Sequence, residues 1–360
     1  ESDSIPRKHT LIAIGIGFPI RFCDCMVWLS LCRRYHARKS KNLRREIYAL
    51  EEKSSTEFEI DEPGFLIESK NSIEEIRLSG FMPFREAGHI RYYSFSLLER
   101  EGIFHAVVTR NRGVSPAPWN SLNLGGSGGD DRGRIIENRQ LVFQAFDISS
   151  DTIFDIWQVH GNNVVCAEAP RNAGDSHQKA DGIITNQRYI RLLMLFADCV
   201  PILLFDPVQR VVGISHAGWK GTFLKIAAKA VDTMVSRYGS RPVDILAAIG
   251  PSIGPDHYVI GNDVVDSMVD VFGLDAQRFI YSRDGEVKFN LWESNRYILE
   301  QAGVRQIEVS EICTACHLED WYSHRLENGV TGRFGVLIGL SEQKVLLMSV
   351  PGEICVSIRR

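Results

Sequence analysis

Residues 192–239 read LLMLFADCVPILLFDPVQRVVGISHAGWKGTFLKIAAKAVDTMVSRYG. Two apolar runs, Leu192–Asp206 and Val211–Ser215, are bounded by Asp, Pro and Gly residues, which is typical of buried strands. Apolar residues at helical spacing then extend over Thr222–Tyr238, and Gly239 is a stop signal. Strands followed directly by an amphipathic helix predict an α/β domain.

The same alternation continues on both sides of this stretch. Further predicted strands are Phe104–Thr109, Asn163–Ala167, Gly182–Thr185, Val243–Ile249 and Val336–Leu340. A second clear helix is predicted over Asn290–Ala302, followed by Gly303. We find no fixed-period repeat. The sequence therefore predicts a single globular domain of the α/β (α+β) class over residues 91–348, followed by a C-terminal tail, residues 349–360.

Residues 1–90 differ from the rest of the chain. Residues 11–32 are apolar but carry Arg21 and Asp24 in the middle, and a charge near the centre of a spanning helix costs about 2.5–3.5 kcal/mol. A basic run and then an acidic stretch follow. We predict a poorly structured N-terminal extension that serves as a targeting segment or linker. A membrane anchor and an extension without function are the alternatives.

The composition is that of an ordinary globular protein. Of 360 residues, 44% are apolar, and 41 Lys and Arg stand against 45 Asp and Glu. This balance excludes wholesale disorder, collagen and coiled coil, and it argues against a nucleic-acid-binding protein. Eight cysteines are too sparse for a disulfide scaffold, which favours a reducing compartment. We expect a cytoplasmic protein without nucleic-acid or membrane partners, with organelle targeting as the alternative.

Three potential metal ligands lie where predicted strands open into loops: His160 in WQVHGNN, Cys199 in LFADCVPILLFD and His216 in GISHAGWKGT. Thiolate and imidazole are preferred zinc ligands, and three protein ligands leave a fourth position open. Intervals of 39 and 17 residues do not match a zinc finger. Spacing alone leaves open that these are unrelated residues. Asp198 beside Cys199 favours catalysis, since a carboxylate there can move protons or orient water.

Basic and polar residues in three loops predict an anion site. Lys220 precedes a helix with Thr222 as its predicted N-cap, where backbone N–H groups favour an anion; a tight turn that needs glycines is the alternative. Arg325 and Arg333 lie in CTACHLEDWYSHRLENGVTGR, residues 313–333, for which a solvated loop is the alternative. The loop TRNRGVSPAPWNSLNLGG, residues 109–126, contributes Arg110, Ser121 and Asn123.

The run Cys313-x-x-Cys316-His317 superficially matches a haem attachment site or a redox pair. The sequence gives no indication of secretion, and no second Cys-x-x-Cys is present to complete a zinc ribbon. We therefore predict neither haem nor a zinc ribbon at these residues.

Together these segments resemble one family. In that family's order the chain contains TRNRGVSPAPWNSLNLG, WQVHGNNV, ADGIIT, FADCVPILLFDP, VGISHAGWKGT, AAIGPSIG and CTACHLEDWYSHR…GVTGR. The chain is similar to the laccase-domain or multicopper polyphenol oxidase family, now understood as zinc-dependent purine nucleoside enzymes. The resemblance extends from about Phe104 to Leu340. One departure is that Asn111 and Arg112 precede Gly113, where a glycine pair is expected.

The resemblance implies a four-layer α/β/β/α sandwich similar to the catalytic domain of cytotoxic necrotizing factor toxins. It implies phosphorolysis of adenosine, inosine, guanosine and S-methyl-5'-thioadenosine, and hydrolytic deamination of adenosine to inosine. The family's zinc ligands carry over to His160, Cys199 and His216, and we expect catalytic roles for Cys199, His216 and Asp198. The residues expected to bind phosphate or nucleoside are Arg110, Ser121, Asn123, Lys220, Arg325 and Arg333.

Three other functions are compared with this interpretation. A multicopper oxidase is excluded, because such a site needs His-x-His pairs and the chain has none. A cysteine hydrolase or deamidase with Cys199 as nucleophile and His216 as base is the first alternative. A non-catalytic interaction protein is the second, and it would require a defective site.

Overall fold

The computed structural model describes residues 84–340, apart from residues 173 and 284. The predicted N-terminal extension up to residue 83, the end of the predicted domain from residue 341 and the predicted tail lie outside the described residues. Within the part that is described, no helix is long and apolar enough to cross a membrane.

Two six-stranded sheets form the framework of the fold. In pairing order the first sheet consists of β1 (Phe84–Ala87), β2 (Ile90–Tyr93), β3 (Phe104–Val108), β14 (Phe334–Gly339), β7 (Arg191–Phe196) and β4 (Ile153–Asp155). The pairing of β7 with β4 is parallel, and the other four pairings are antiparallel. This sheet therefore combines strands from both ends of the described chain.

In pairing order the second sheet consists of β13 (Gln306–Val309), β10 (Leu246–Ile249), β8 (Val200–Asp206), β9 (Val211–Ala217), β6 (Gly182–Thr185) and β5 (Val164–Cys166). Its two outer pairings are parallel and its three inner pairings are antiparallel. Every residue of β8 and β9 is buried, because both faces of the central hairpin are covered. A separate two-stranded ribbon is formed by β11 (Ile280–Arg283) and β12 (Glu286–Phe289).

Six α-helices occur within the described residues. They are α1 (Ser96–Arg100), α2 (Arg132–Ala145), α3 (Trp219–Phe223), α4 (Ile226–Tyr238), α5 (Asn262–Phe272) and α6 (Leu291–Gln301). The Asn290 side chain caps α6 by accepting the backbone N–H of Glu293 at 3.0 Å. Gly239 ends α4 in the left-handed conformation, with a φ of 74°. The predicted helix Asn290–Ala302 is confirmed.

Three hydrophobic cores arrange these elements in layers. Between the sheets, Phe196 of the first sheet and Phe205 of the second belong to one buried cluster. On the outer side of the second sheet, Leu204 packs in a cluster with α4, α5 and α6. On the outer side of the first sheet, Leu193 packs in a cluster with α2. The predicted mixed α/β class with two large sheets is confirmed, whereas the likeness to the toxin domain stays a prediction.

The predicted strand Leu192–Asp206 is two strands that lie in different sheets. Strand β7 ends at Phe196 and β8 begins at Val200. Between them Asp198 has a φ of 76°, a left-handed conformation that interrupts a strand. The apolar residues on both sides concealed this break in the sequence. The break places Cys199 where the chain crosses from the first sheet to the second.

The predicted helix Thr222–Tyr238 is likewise divided into α3 and α4. Lys225, with a φ of 55°, separates the two helices. Thr222 is fully buried within α3 and is not an N-cap; its Oγ1 accepts a hydrogen bond from Asn295 Nδ2 at 3.0 Å. The helix start that was predicted to bind an anion therefore belongs to α3, which has five residues.

The first sheet begins at Phe84, ahead of the predicted domain start at residue 91. Strand β1 pairs with β2, and Ile90 is fully buried. The Phe84 ring lies 6.2 Å from the Trp321 ring and 4.2 Å from the guanidinium carbon of Arg91. Residues 84–90 therefore pack with the domain, although they precede its predicted start at residue 91.

Candidate metal centre

The structure brings His160, Cys199 and His216 together. Their ligand atoms all lie within 4.8 Å of one another. His160 lies in the loop between β4 and β5, Cys199 directly precedes β8, and His216 lies in β9. The β8–β9 pairing places His216 opposite Pro201 and Ala217 opposite Val200. The hairpin register therefore sets Cys199 and His216 side by side.

The buried carboxylate of Asp181 fixes the orientation of His216. His216 Nδ1 lies 2.9 Å from Asp181 Oδ1, so an Nδ1–H donates to the carboxylate and Nε2 is left for the other ligands. A carboxylate behind a histidine ligand is the usual arrangement at protein metal sites. Asp181 is a functional residue that the sequence patterns do not single out, although it lies in the motif ADGIIT directly before β6.

The same carboxylate holds the loop that carries His160. Asp181 accepts the backbone N–H of His160 at 2.9 Å and of Gly161 at 2.6 Å. Gln158 anchors this loop to β7, because its Nε2 donates to the Leu195 carbonyl at 2.8 Å and its Oε1 accepts the Leu195 N–H at 3.0 Å. His160 itself has a φ of 60° and is exposed. A metal ion or substrate can therefore reach the site from the side on which His160 lies.

Electrostatics favour a thiolate at Cys199. Burial raises the pKa of this thiol, but the charge of His216 and hydrogen bonds from both histidines outweigh that effect and lower the pKa to about 6. Burial lowers the pKa of His216, but the thiolate and Asp181 outweigh it and raise the pKa to about 9. A thiolate, one exposed imidazole and one oriented imidazole are the donors that zinc prefers.

Position 218 requires a glycine, because its backbone lies very close to two of the candidate ligands. A Cβ at this position would lie 2.8 Å from Cys199 Sγ and 3.3 Å from His160 Cδ2. Helix α3 starts immediately after Gly218. The tight-turn interpretation of HAGWKGT therefore explains this glycine. Lys220 lies exposed on α3, with its Nζ 5.3 Å from the centre of the Trp219 ring.

Asp198 connects the candidate metal centre to the loop that contains both cysteines of the Cys-x-x-Cys run. Its Oδ1 accepts a hydrogen bond from Thr314 Oγ1 at 2.7 Å. Its Oδ2 accepts the backbone N–H of Arg325 at 2.6 Å. The buried carboxylate therefore lies beside Cys199, and both of its oxygens accept hydrogen bonds. The bond from the Arg325 N–H fixes the position of the backbone at Arg325.

Arg110 is not a free cation, because the loops around it supply partners for its guanidinium. Its guanidinium is buried and donates to the carbonyls of Asn120 (2.8 Å), Leu318 (3.2 Å) and Trp321 (3.1 Å). It also pairs with Glu327 at 3.1 Å. These contacts use Nε and Nη1 of Arg110 to hold two loops together, and its role in binding phosphate stays a prediction.

Ser121 and Asn123 have comparable structural contacts. Ser121 Oγ accepts the backbone N–H of Gly113 at 3.0 Å and donates to the Arg110 carbonyl at 3.3 Å. Asn123 is fully buried, its Nδ2 donates to Asp130 at 3.0 Å, and its Oδ1 accepts the backbone N–H of Arg333 at 2.9 Å. The polar atoms of both residues therefore fix the loop, and their contacts with substrate stay predictions.

The structure also explains how Asn111 and Arg112 fit where the family pattern has a glycine pair. Arg112 has a φ of 67°, the left-handed conformation for which glycine is favoured. Its guanidinium donates to the His89 carbonyl at 3.0 Å and pairs with Glu86 at 3.0 Å. The loop therefore keeps the backbone conformation that a glycine would adopt.

Arg325 and Arg333 lie near Asp198 and the candidate metal centre. Arg325 is exposed, donates from Nη1 to the Val259 carbonyl at 2.7 Å, and lies 4.9 Å from the centre of the Tyr258 ring. Arg333 donates from Nη1 to the carbonyls of Thr331 (3.1 Å) and Gly332 (2.7 Å). Burial lowers the Arg333 pKa, although Cys199 and Asp198 attract its charge. Its guanidinium therefore lies in the field of the candidate metal centre.

Comparisons with known proteins agree with one another. The family described as multi-copper polyphenol oxidoreductase laccase matches residues 104–341. Purine nucleoside phosphorylase YlmD of Bacillus subtilis is 35% identical, over 65% of this chain and 87% of that protein. A purine nucleoside phosphorylase of Deinococcus radiodurans is 38% identical, over 67% of this chain and 90% of that protein.

Solved structures give the same result for the fold. YfiH of Bacillus licheniformis superposes with a TM-score of 0.67 at 36% identity, over 72% of this chain and all of that one. YlmD of Geobacillus stearothermophilus also has a TM-score of 0.67, at 32% identity, over 72% of this chain and 99% of that one. The described domain is therefore similar to these proteins over nearly their whole length.

Proposed function

Because this chain belongs to the multi-copper polyphenol oxidoreductase laccase family, we propose that it is a purine nucleoside phosphorylase whose active site is a zinc centre at His160, Cys199 and His216. The relatives named purine nucleoside phosphorylase support the reaction class. The proposed substrates are adenosine, inosine, guanosine and S-methyl-5'-thioadenosine. Hydrolytic deamination of adenosine to inosine is proposed as a further activity.

The convergence of the three ligands, with Asp181 behind His216, is the observation that carries this proposal. Three unrelated parts of the chain place one thiolate and two imidazoles within 4.8 Å, and three donors leave a coordination position for water or substrate. When bound, zinc supplies Lewis-acid chemistry and lowers the pKa of a coordinated water towards neutrality. We propose zinc and not copper, because a multicopper centre needs further histidine pairs that the sequence lacks.

Phosphorolysis joins a phosphate oxygen to the anomeric carbon of ribose and breaks the bond from that carbon to the purine nitrogen. The electron pair of the broken bond leaves with the purine, which takes up a proton. Arg325 and Arg333 are the residues proposed to hold the phosphate, because guanidinium groups bind phosphate oxygens through paired, charge-assisted hydrogen bonds. Holding both reactants in one site removes most of the entropic barrier to their reaction.

Deamination of adenosine replaces the exocyclic amine at C6 with oxygen from water and releases ammonia. This reaction needs no phosphate, so the two arginines are not required for it. Asp198 is proposed to orient the reacting groups beside Cys199, since its carboxylate is buried next to that ligand. His216 is kept in one tautomer by Asp181. The two activities thus share the centre and differ in their need for the anion site.

A cysteine hydrolase remains the second candidate, and one observation favours it. Cys199, His216 and Asp181 have the order of contacts of a nucleophile, a base and a residue that orients the base. In that function Cys199 would attack a substrate carbonyl and no metal would be needed. Metal content and reaction products separate the two candidates.

The purified full-length chain incubated with adenosine, with and without phosphate, tests the proposal. With phosphate we expect adenine and ribose 1-phosphate, and without phosphate we expect inosine. A His216→Ala variant is the background control, and elemental analysis should find zinc bound at this centre in the active protein. Copper in place of zinc, or neither product above the His216→Ala control, would contradict the proposal. The second of these results would favour the cysteine hydrolase.

A further inference from the structure

A second group of potential ligands lies outside the centre described above. Asp256 and His257 come from the turn after β10, and Cys313 and Cys316 come from the loop after β13. Their ligand atoms all lie within 4.8 Å of one another. Two backbone hydrogen bonds hold the two segments together, from the N–H of Ser252 to the Ile312 carbonyl (3.2 Å) and from the N–H of Thr314 to the Ser252 carbonyl (3.0 Å).

Hydrogen bonds to His257 do not account for how these side chains are placed. Three groups converge on one atom, His257 Nδ1: Cys313 Sγ at 3.7 Å, Cys316 Sγ at 3.5 Å and Asp256 Oδ2 at 3.0 Å. A ring nitrogen carries either one proton or one lone pair, so it can satisfy one hydrogen bond and not three. Convergence of two thiols, a carboxylate and an imidazole indicates a common partner at their centre.

The separations correspond to the edges of a coordination tetrahedron. With zinc–ligand bonds of about 2.0–2.3 Å, tetrahedral geometry places the donor atoms about 3.3–3.8 Å apart. The two thiol–imidazole separations, 3.7 and 3.5 Å, fall in this range. The separations from Asp256 Oδ2 to Cys316 Sγ (3.1 Å) and to His257 Nδ1 (3.0 Å) are slightly shorter.

The surroundings of the cluster keep its side chains in place. The backbone N–H of Gly254 donates to Cys313 Sγ at 3.1 Å, the type of contact that supports a thiolate ligand. Lys288 Nζ donates to the Asp256 carbonyl at 2.9 Å. A Cβ at Gly254 would lie 2.6 Å from Asp256 Oδ1 and 2.9 Å from Cys313 Cβ. Only a glycine lets the two halves of the cluster approach this closely.

We propose that Asp256, His257, Cys313 and Cys316 bind a second zinc ion. Four protein ligands close the coordination sphere, which is the signature of a structural site and not of a catalytic one. From the sequence alone, Cys313-x-x-Cys316 lacks the second Cys-x-x-Cys that a zinc ribbon needs. The structure supplies the missing half from Asp256 and His257, which are 56 or more residues away along the chain.

The second ion has a defined structural task. Thr314 lies between the two cysteine ligands, and its hydroxyl donates to Asp198 at 2.7 Å. Asp198 in turn precedes Cys199 of the first centre. The ion therefore holds the loop that positions Asp198, although it contributes no atom to the first centre.

Metal analysis of the full-length chain, expressed with added zinc and purified under reducing conditions, tests this site. We expect two zinc ions per wild-type chain, and one in Cys316→Ala and in His257→Ala. Cys316 is exposed, so its truncation removes a ligand without opening a cavity. The control is Cys166→Ala, because Cys166 is half-buried in β5 and belongs to neither cluster. That variant should retain both ions.

The same series separates this proposal from the first centre. A single ion that is lost in Cys199→Ala and kept in Cys316→Ala would overturn the second site. A single ion that is kept in Cys199→Ala and lost in Cys316→Ala would support the second site and contradict zinc at the first. Cobalt(II) gives an independent readout: in Cys199→Ala we expect thiolate-to-cobalt absorption from Cys313 and Cys316. Absorption of undiminished intensity in Cys199→Ala/Cys316→Ala would overturn the assignment, because only Cys313 is left there as a thiolate ligand.

Discussion

One buried carboxylate, that of Asp181, couples two of the three candidate ligands. It accepts a hydrogen bond from the ring of His216 and from the backbone N–H groups of His160 and Gly161. Burial raises the Asp181 pKa, but these donors outweigh that effect and lower the pKa below its ordinary value. Asp181 therefore stays ionised and orients both ligands, which makes it a positioning residue of the centre.

The low pKa of Cys199 gives a pH-dependent prediction for metal-free protein. With a pKa of about 6, Cys199 is ~90% thiolate at pH 7, whereas an ordinary thiol with a pKa of about 8.5 is ~3% thiolate. Only the thiolate reacts with iodoacetamide. We expect alkylation of Cys199 after removal of zinc by a chelator to stay fast down to about pH 6 and to fall below it. Mass spectrometry of the Cys199 peptide across the pH range measures this.

The control for this experiment is the His216→Ala variant, because the imidazolium of His216 stabilises the thiolate. In His216→Ala we expect the midpoint of the alkylation profile to move to higher pH. Burial raises the pKa of Cys199, and without His216 less positive charge is present to oppose that effect. Zinc should protect Cys199 from alkylation in the wild-type chain. A wild-type midpoint near that of an ordinary thiol would contradict the electrostatic account of this site.

Arg325 and Arg333 lead to a prediction that separates the two proposed activities. Loss of one charge-assisted contact to phosphate costs about 1.5–3 kcal/mol, or roughly 10- to 150-fold in rate. We therefore expect Arg325→Ala or Arg333→Ala to reduce phosphorolysis by that factor and to affect deamination much less. Lysine should not restore the activity, because it lacks the planar, paired donors of arginine. Rates of adenine and inosine formation measure both effects.

Arg237→Ala is the matched control for these arginines. Arg237 is exposed on α4 and pairs with Glu168 at 2.7 Å, so its loss should leave both activities unchanged. Zinc content should also be unchanged in all three variants, because no arginine is a ligand. Equal loss of both activities in Arg333→Ala would assign that residue to nucleoside binding or to the fold.

At the residue scale the sequence predicted the ligands better than their supports. Residue type and position beside predicted strands draw attention to His160, Cys199 and His216, and the family resemblance assigns them as ligands. The structure brings these three together. For Arg110 and Asn123 the sequence predicts contacts with substrate, and the structure adds contacts with other loops of the domain. Their partners lie in segments that are distant in sequence, such as Glu327 and Arg333, and no local pattern reports such hydrogen bonds.

At the scale of elements, two breaks escaped prediction for one physical reason. Asp198 and Lys225 adopt positive φ within stretches whose apolar pattern continues on both sides. Hydrophobic periodicity reports which side chains are buried but not the backbone conformation of a single residue. Both breaks matter for the site, because the first delivers Cys199 to the second sheet. The second shortens the helix that follows Gly218.

Strand β1 yields a prediction about the start of the domain. A chain that begins at residue 88 lacks β1, exposes the edge of β2 and removes the Phe84 ring from Trp321. Loss of a partly buried phenylalanine costs about 1–2 kcal/mol. At about 2–4 °C per kcal/mol for a domain of this size, we expect a Tm lower by roughly 2–8 °C than that of a chain beginning at residue 84. Thermal melts of the two chains measure this.

Phe84→Ala in the longer chain isolates the contribution of the ring from that of the strand. We expect it to account for part of the difference, with the remainder due to the lost pairing of β1 with β2. Identical melting temperatures for the two truncated chains would show that β1 does not stabilise the domain, and the predicted start at residue 91 would then stand.

At the scale of the whole molecule, the candidate metal centre lies where the chain passes between the two sheets. The loop with His160 connects β4 of the first sheet to β5 of the second, and Cys199 lies in the connection from β7 to β8. His216 lies within the second sheet. The order of motifs along the sequence indicated a shared site, but it did not show that the site joins two sheets. That relation depends on strand pairings between residues far apart in the chain.

This location would make metal binding at the candidate centre a property of the whole domain. A ligand that binds only the folded chain stabilises it by about 2.7 kcal/mol at a free concentration of 100 times its Kd. For a domain of this size we expect zinc to raise the Tm of the metal-free chain by roughly 5–11 °C at that ratio. The shift should increase with zinc concentration and occur as one cooperative transition, because His160 and Cys199 connect elements of both sheets. In Cys199→Ala the part of the shift due to the first centre should be lost. Calorimetry with increasing zinc measures it, and a Tm that does not respond to zinc in the wild-type chain would contradict metal binding at this junction.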